Sequence, residues 1–290
     1  MIQLMKDVGG NIRYYGASPN NYIYFNCSDY SNQSSSTCET WRIIGTFGNK
    51  TKLIRNSSIG EYSWDNKDTS TGAKSAYGKN DWTDARLMKL LNQGYESETT
   101  GGSLYYNSGS GNCYSGQNNA TTACDFTSTG IKNDTTRNMI SDNTYSLLGW
   151  NNNSIYSNQI YEYERSTGSV YTGTPTSWTG KVGLAYVSDY GYAADLSKCT
   201  KQLGSYNDST CASNNWMKAI ITNNSTNASG WLLTHYYGDS CDTWRTYWAG
   251  NAGYSGSSSA FEVTPVLYLK YRISINSGTG TSSDPYQIST

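Results

Sequence analysis

The sequence predicts one α+β domain, with a small antiparallel sheet, two or three helices and long loops pinned by disulfides. The 27 Tyr, 9 Trp and 4 Phe supply enough large apolar side chains to form a core in a chain of 290 residues. The 29 Gly residues and short, scattered apolar runs without heptads indicate a loop-rich, mainly β body and exclude an all-α fold. Six of the seven cysteines also fall into closely spaced pairs.

The cysteine spacing favours disulfides over a zinc site. The pairs Cys27/Cys38, Cys113/Cys124 and Cys199/Cys211 each enclose a polar loop, and Cys241 stands alone. Zinc sites use shorter gaps between ligands and usually include His, whereas this chain has a single His and no C-x-x-C. We therefore expect three disulfides, which imply an oxidising, extracellular setting.

The overall charge argues against nucleic acid and membrane partners. Lys and Arg total 21 against 22 Asp and Glu, a net charge of −1, so no field of one sign attracts phosphates or anionic lipid. No apolar run approaches the ~18 residues of a membrane span, so we expect no direct membrane insertion. Residues 1–5 lack a signal-peptide pattern, and we expect an exported form to carry its leader upstream of Met1.

Strands are predicted around the first cysteine loop, at 22–25, 41–47 and 52–55. The most regular helix pattern runs over 80–92, where Asn80 is a candidate cap and the apolar residues recur at near-helical spacing. Further helices are predicted within 133–148 and 195–203. These elements give the helical part of the predicted fold.

The C-terminal part of the sequence predicts a closing strand over 261–270, which is rich in Val, Leu and Tyr. We expect a single domain over 1–276 and an exposed tail over 277–290. The polar segments 97–126 and 205–230 are predicted to be surface loops held by their cysteines.

Known catalytic and metal motifs have weak support. His235 and Cys241 are the only candidates for a nucleophile and its base, and a lone His beside a lone Cys is usually incidental. Asp65 and Asp68 lack the frame of a calcium loop, and Glu162 and Glu164 fit the period of a surface strand. No nucleotide-binding loop is present. We therefore assign no catalytic residue, metal or cofactor.

The segment 235–259 has the composition of a recognition loop. It is rich in Tyr, Ser and Gly and contains no Lys, Glu, Gln or Met. Tyr offers a large rigid contact area, while Ser, Gly and Asn offer adaptable hydrogen bonds. This segment is the strongest candidate for a binding surface, and an ordinary Tyr-rich loop is the alternative.

Two sets of motifs resemble known families. The frame of Trp231-Leu-Leu-Thr, Trp244, Gly250 and Thr264-Pro-Val-Leu-Tyr-Leu-Lys resembles C-type-lectin-fold variable proteins, which diversity-generating retroelements diversify in phages and gut bacteria. Thr264 stands where that family usually has Arg, and His235 stands where relatives commonly have Pro. Nearly the whole chain also resembles surface proteins of gut Firmicutes, some of them pilin-like, through 11–22, 40–45, 80–88 and 183–193.

The resemblance implies a C-type-lectin-like fold and non-catalytic binding of a protein or glycan ligand at a cell or phage surface. The alternatives are a structural pilus or coat subunit and a secreted enzyme of the formylglycine-generating type, whose fold is similar. If 244–248 is extended, Trp244, Thr246 and Trp248 share one buried face, and Arg245 and Tyr247 face the ligand. The predicted ligand-contacting residues are Tyr236, Tyr237, Asp239, Asp242, Arg245, Tyr247, Asn251 and Tyr254.

Overall fold

The computed structural model describes residues 3–66, 77–92, 104–113 and 122–289. The strands of this part are β1 Leu4–Lys6, β2 Ile12–Tyr14, β3 Tyr22–Phe25, β4 Glu39–Phe47, β5 Lys50–Arg55, β6 Glu61–Ser63, β7 Ser110–Cys113, β8 Thr122–Asp125, β9 Asn143–Ser146, β10 Ser177–Gly180, β11 Val182–Gly183, β12 Gly230–Trp231, β13 Asp242–Thr246, β14 Ala252–Gly256, β15 Ala260–Glu262, β16 Val266–Tyr268, β17 Ile275–Ser277 and β18 Gln287–Ile288. The helices are α1 Arg86–Leu91, α2 Asp134–Met139, α3 Ser157–Glu162, α4 Val187–Tyr192, α5 Ser209–Ser213 and α6 Trp216–Ile221, with a π-helical turn at Tyr163–Thr167 and a 3₁₀ turn at Leu203–Ser205. The fold is mixed α+β, as the sequence predicts.

A seven-stranded antiparallel sheet forms the centre of the molecule. Its order is β1-β2-β4-β5-β16-β11, and β3 pairs with β4 beside this path. The register shifts between Ile43 and Gly45, where β4 passes close to β2. A Cβ on Gly45 would lie 2.2 Å from the carbonyl oxygen of Ile12, so this close approach requires glycine.

Both faces of this sheet are buried. In β4, Ile43 belongs to one apolar cluster and Ile44 to the other, and Leu53 and Ile54 of β5 divide in the same way. Successive residues of a strand point to opposite faces, so neighbouring apolar residues fill two cores. This explains why apolar residues stand side by side in these strands, as Ile43 with Ile44 and Leu53 with Ile54 do, rather than alternating with polar ones.

A second, five-stranded sheet carries the candidate recognition segment. Its order is β14-β13-β12-β15-β6, with one parallel pairing, between β12 and β15. Trp231 of β12 joins the first cluster, while Leu232, just beyond it, joins the second. The hairpin β13–β14 is thereby anchored on the same two cores as the central sheet.

Several predicted elements differ from the observed ones. The helix predicted over 80–92 is confined to Arg86–Leu91, with Ala85 rather than Asn80 at its N-cap position, and a turn precedes it. The second predicted helix ends at Met139 and gives way to a strand over Asn143–Ser146. No helix forms over 195–203, where a turn precedes the 3₁₀ segment.

The described part of the predicted tail, 277–289, is not a loose segment. Ile275 and Ser277 of β17 pair with Ile288 and Gln287 of β18, and the amide of Tyr24 donates to the carbonyl of Tyr286. Tyr286 and Ile288 are buried in the first apolar cluster. The prediction of an exposed tail is therefore wrong for its last residues, because their apolar side chains complete the core beneath β3.

The three disulfides join Cys27 to Cys38, Cys113 to Cys124 and Cys199 to Cys211, as the spacing predicts. Within the described part of the chain, no helix has the length and apolar character needed to cross a bilayer. Three disulfides fit a secreted or extracellular protein.

Candidate ligand-binding site

The hairpin β13–β14 positions most of the predicted contact residues. Trp244 pairs with Tyr254 and Arg245 pairs with Gly253, so the two residues of each pair share a face of the hairpin. Trp244 has 0% exposure and Thr246 is also buried, in agreement with the predicted alternation. The eight predicted residues therefore do not form one surface, because the hairpin separates them onto two faces.

Three tyrosines and two acidic residues form the first of these surfaces, which we call the tyrosine face: Tyr236, Tyr237, Tyr254, Asp239 and Asp242. The ring of Tyr236 stacks on that of Tyr254 with the centroids 4.0 Å apart. The buried ring of Trp244 lies behind both, 6.1 Å from Tyr254 and 6.5 Å from Tyr236. Tyr254 keeps 36% of its surface exposed. The stack is thus a rigid aromatic surface supported by the core.

Tyr237 extends the tyrosine face through Trp150. The two rings meet edge to face with centroids 5.7 Å apart, and Trp150 in turn stacks on Tyr163 at 3.9 Å. The carbonyl of Trp150 accepts a hydrogen bond of 3.0 Å from the indole N–H of Trp244. This bond connects Trp150, and the tyrosine rings that contact it, to the buried Trp244 of the hairpin.

Asp239 and Asp242 place two carboxylates in one turn. Oδ1 of Asp239 accepts hydrogen bonds from the amides of Cys241 and Asp242, at 2.8 and 2.6 Å. Burial and the nearby charge of Asp239 raise the pKa of Asp242. Neither carboxylate forms an ion pair with a residue in the described part of the chain.

In the described part of the chain, Asp239, Cys241 and Asp242 form a group of potential metal ligands. One ligand atom each from Asp239, Cys241 and Asp242 lies within 4.8 Å of the others. The mixture of two carboxylates and one thiol, with one carboxylate oxygen already engaged by two amides, defines no particular metal.

A small cleft adjoins the tyrosine face at Ser240. It has a volume of about 110 Å³ and is lined by 79–81, 171–174 and Ser240. Asn80 is buried there, and its Nδ2 donates to the carbonyl of Tyr236 at 2.7 Å. Among the described residues its Oδ1 has no hydrogen-bond partner. A buried acceptor without a donor is costly.

Arg245 and Tyr247 lie on the opposite face of the hairpin, as the alternation predicts. The guanidinium carbon of Arg245 lies 3.7 Å from the ring centroid of Tyr247 and 4.5 Å from that of Phe261. Its NH1 group donates to the hydroxyl of Ser229 at 2.5 Å. Burial lowers the pKa of Arg245. Arg245 is therefore largely engaged within the protein and is only partly available to a ligand.

Two turn residues complete the hairpin. The carbonyl of Asn251 accepts a hydrogen bond of 2.9 Å from the amide of Tyr247, so Asn251 closes the turn with its backbone. Trp248 is 49% exposed, so the prediction that it shares the buried face of Trp244 is wrong. The reason is that β13 ends at Thr246, and the strand alternation does not continue into the turn.

His235 has a structural environment. It is 5% exposed, and its Nε2 accepts a hydrogen bond of 2.9 Å from the amide of Tyr171. Burial lowers the pKa of His235 to about 4. Because Nε2 of His235 accepts this hydrogen bond, its lone pair is not available to take a proton from Cys241. The arrangement therefore does not form the nucleophile pair considered from the sequence.

The acidic pair Glu162 and Glu164 is not on a surface strand. Glu162 ends α3, and Glu164 lies in the π-helical turn with its side chain fully buried. Glu164 accepts hydrogen bonds from the amide of Ser188 at 3.0 Å and from the hydroxyl of Thr234 at 2.6 Å. Glu164 therefore holds α4 against the segment that follows β12. Asp68, from the other acidic pair, lies outside the described residues.

A buried ionic cluster was not predicted from the sequence. Arg13 binds Asp7 at 2.6 Å and Asp189 at 2.7 Å, and Lys52 contacts the other oxygen of Asp189. Burial disfavours the charged form of Asp189, but Lys52, Arg13 and Arg165 together hold its pKa well below the usual range. The residues of this ionic cluster are far apart in the sequence. Their only sequence signal is that charged residues occur inside otherwise apolar segments.

No protein-family model, curated protein or solved structure matches this chain. The description of the candidate site therefore depends on the geometry of its own residues.

Proposed function

We propose that this chain is a non-catalytic ligand-binding protein of a cell or phage surface, and that the tyrosine face contacts the ligand. The observation that carries the proposal is the stack of Tyr236 on Tyr254, which lies partly exposed above the buried Trp244. Rigid aromatic side chains at the surface bind with little loss of conformational entropy and are typical of binding hot spots. The fold proposed for this role is C-type-lectin-like and of the retroelement-diversified type, as the sequence resemblance implies.

The chemistry of the tyrosine face favours a ligand that carries a positive charge. Asp239 and Asp242 form no ion pair among the described residues, although the charge of Arg245 acts on Asp242, and the ring faces of Tyr236 and Tyr254 attract cations. We therefore propose a protein ligand that presents Lys or Arg side chains.

A peptide selection tests this proposal. A phage-displayed random peptide library is panned on the immobilised chain, and the recovered clones are tested on variants. We expect clones rich in Lys and Arg that lose at least tenfold in binding to Tyr254→Ala and to Asp239→Asn/Asp242→Asn. Tyr271→Ala is the matched control, since Tyr271 is 74% exposed and lies outside the hairpin.

The proposal is wrong if the clones bind Tyr254→Ala as well as the unaltered chain, or if Tyr271→Ala weakens them equally. A comparison of the coding locus tests the retroelement assignment separately. A neighbouring reverse transcriptase gene and a near-copy of the segment encoding 235–259 support that assignment, and the absence of both contradicts it.

A further inference from the structure

Trp248 occupies an unusual position for a tryptophan. It lies in the turn between β13 and β14 with about half of its surface exposed. An exposed indole offers a large flat apolar surface against which a ligand ring can stack. The side chain is also outside the tyrosine face, since it follows the end of the strand that carries Trp244.

The indole of Trp248 forms part of a polar cleft. The cleft has a volume of about 280 Å³, and the remainder of its lining comes from Ala17, from α6 and from the segments on either side of α6. This volume is near the lower end of the ~300–1,000 Å³ that small-molecule sites occupy. Hydroxyls and amides dominate the lining, among them Ser213, Thr222, Asn224 and Ser225. An aromatic ring among hydroxyls and amides suits a ligand with both C–H faces and hydroxyl groups.

Lys218 is the ionisable residue of this lining, and no Asp or Glu accompanies it. In the described part of the structure its ammonium group makes no hydrogen bond or ion pair. Its stem is held beside the turn of Trp248, because Cδ of Lys218 lies 3.4 Å from the position that a Cβ on Gly250 would take. The cleft therefore has one cationic side chain, whose stem lies beside the turn that carries Trp248.

The amide side chain of Asn224 adds a hydrogen-bonding group. Asn224 has a φ of 52°, in the left-handed region, and its backbone amide donates to the carbonyl of Ala219 at 2.6 Å. This backbone arrangement fixes the residue at the end of α6, while its side chain makes no hydrogen bond within the described residues. The amide offers both a donor and an acceptor to a hydroxylated ligand.

We propose that this cleft binds an acidic saccharide, a sugar ring that carries a carboxylate. The C–H face of the ring stacks on Trp248, the carboxylate pairs with Lys218, and the ring hydroxyls bond to Asn224 and its neighbours. A purely apolar ligand leaves the polar lining unsatisfied, and the single cation of the lining matches one carboxylate rather than the closely spaced phosphates of nucleic acid. The site is separate from the tyrosine face and does not depend on the function proposed there.

Titration of the ¹⁵N-labelled chain with two saccharides of equal length tests the proposal. Hyaluronan hexasaccharide carries carboxylates and chitohexaose is neutral. The indole N–H signal of Trp248 is identified by its loss in Trp248→Phe. We expect a saturable shift of this signal with hyaluronan hexasaccharide and at least fivefold weaker binding of chitohexaose. Lys218→Gln should reduce binding of the acidic saccharide to the neutral level, and Tyr254→Ala should leave it unchanged.

Trp248→Ala should abolish binding of hyaluronan hexasaccharide, as measured by calorimetry. Thermal unfolding of this variant, and of the milder Trp248→Tyr, confirms that the fold is retained. The proposal is overturned by three results: no saturable shift with hyaluronan hexasaccharide, equal binding of both saccharides, or undiminished binding to folded Trp248→Ala. An equal shift with sodium acetate also overturns it, since the site then recognises a carboxylate without the sugar.

Discussion

The ammonium group of Lys52 lies against a carboxylate oxygen of Asp189, and both side chains are fully buried. The other oxygen of this carboxylate binds Arg13, and the amide of Tyr186 donates to Asp189 at 2.9 Å. One acidic residue at the start of α4 thus neutralises cations from β2 and β5. The pair of Lys52 and Asp189 links α4 to the central sheet. Among the described residues, Lys52 is the only buried lysine of this sheet.

Removal of one partner should therefore be costly. We expect Asp189→Asn and Lys52→Met each to lower the free energy of unfolding by about 3–5 kcal/mol, because a buried charge then lacks its partner. Urea unfolding followed by tryptophan fluorescence measures the loss. Lys181→Met is the matched control, since Lys181 and Asp142 form an exposed pair whose contribution should stay below about 1 kcal/mol. Similar losses in all three variants would contradict the role of burial.

The stability of the chain should fall in mild acid because of His235. Its pKa is lowered to about 4 by burial, against 6.5 for an ordinary histidine, so the unfolded chain binds more protons between these two values. Stability is then fully present above about pH 6.5 and is lost as the pH falls toward 4, by at most ~1.4 kcal/mol per pH unit. Urea unfolding between pH 5 and 7 measures this slope.

His235→Gln is the matching variant, because a glutamine oxygen can accept the amide of Tyr171 without titrating. We expect a flatter dependence on pH between 5 and 6.5 in this variant. An unchanged slope would show that another group controls stability in this range.

Arg245 should contribute to the stability of the fold as well as to the predicted ligand-binding surface. Its contacts with Tyr247, Phe261 and Ser229 predict that Arg245→Ala lowers the free energy of unfolding by about 1–2 kcal/mol. Trp244→Ala should cost more, about 3–5 kcal/mol, because it empties part of the core. Chemical unfolding of both variants measures the difference. A stability of Arg245→Ala equal to that of the unaltered chain would show that these contacts contribute nothing.

The three disulfides should leave one thiol per chain. Under denaturing conditions without reductant, we expect a thiol reagent to modify Cys241 alone, and peptide mapping should recover the three bridged pairs. Cys199→Ser/Cys211→Ser should lower stability by about 2–3 kcal/mol, the loop-closure value for this length. Modification of more than one cysteine, or a different pairing, would contradict the assignment.

Local patterns in the sequence predicted several features correctly. The three disulfides follow from spacing alone, and the opposite faces of Trp244 and Arg245 follow from the two-residue period of a strand. Both predictions depend only on residues close together in the chain. The mixed fold with mostly antiparallel strands was also predictable, since it depends on composition and on the lengths of apolar runs.

Features that depend on distant partners could not be predicted in this way. Asn80 has the identity of a helix cap, but it is held away from the helix by bonds to distant residues: its backbone amide donates to Ser240 and its Nδ2 donates to the carbonyl of Tyr236. Glu164 was read as exposed because its partners, Ser188 and Thr234, come from later segments. The exposure of Trp248 depends on where β13 ends, which the pattern of residues 244–248 does not show.

The position of β16 in the central sheet also affects how the chain folds during its synthesis. This strand lies between β5 and β11, and Val266 pairs with Ile54 from near the opposite end of the sequence. Such distant pairing slows folding, because a long loop must close before the contact is gained. Until the ribosome has added Val266, the backbone N–H and C=O groups on this edge of β5 stay unpaired and can pair with other chains. We therefore expect the growing chain to be prone to aggregation until β16 is made.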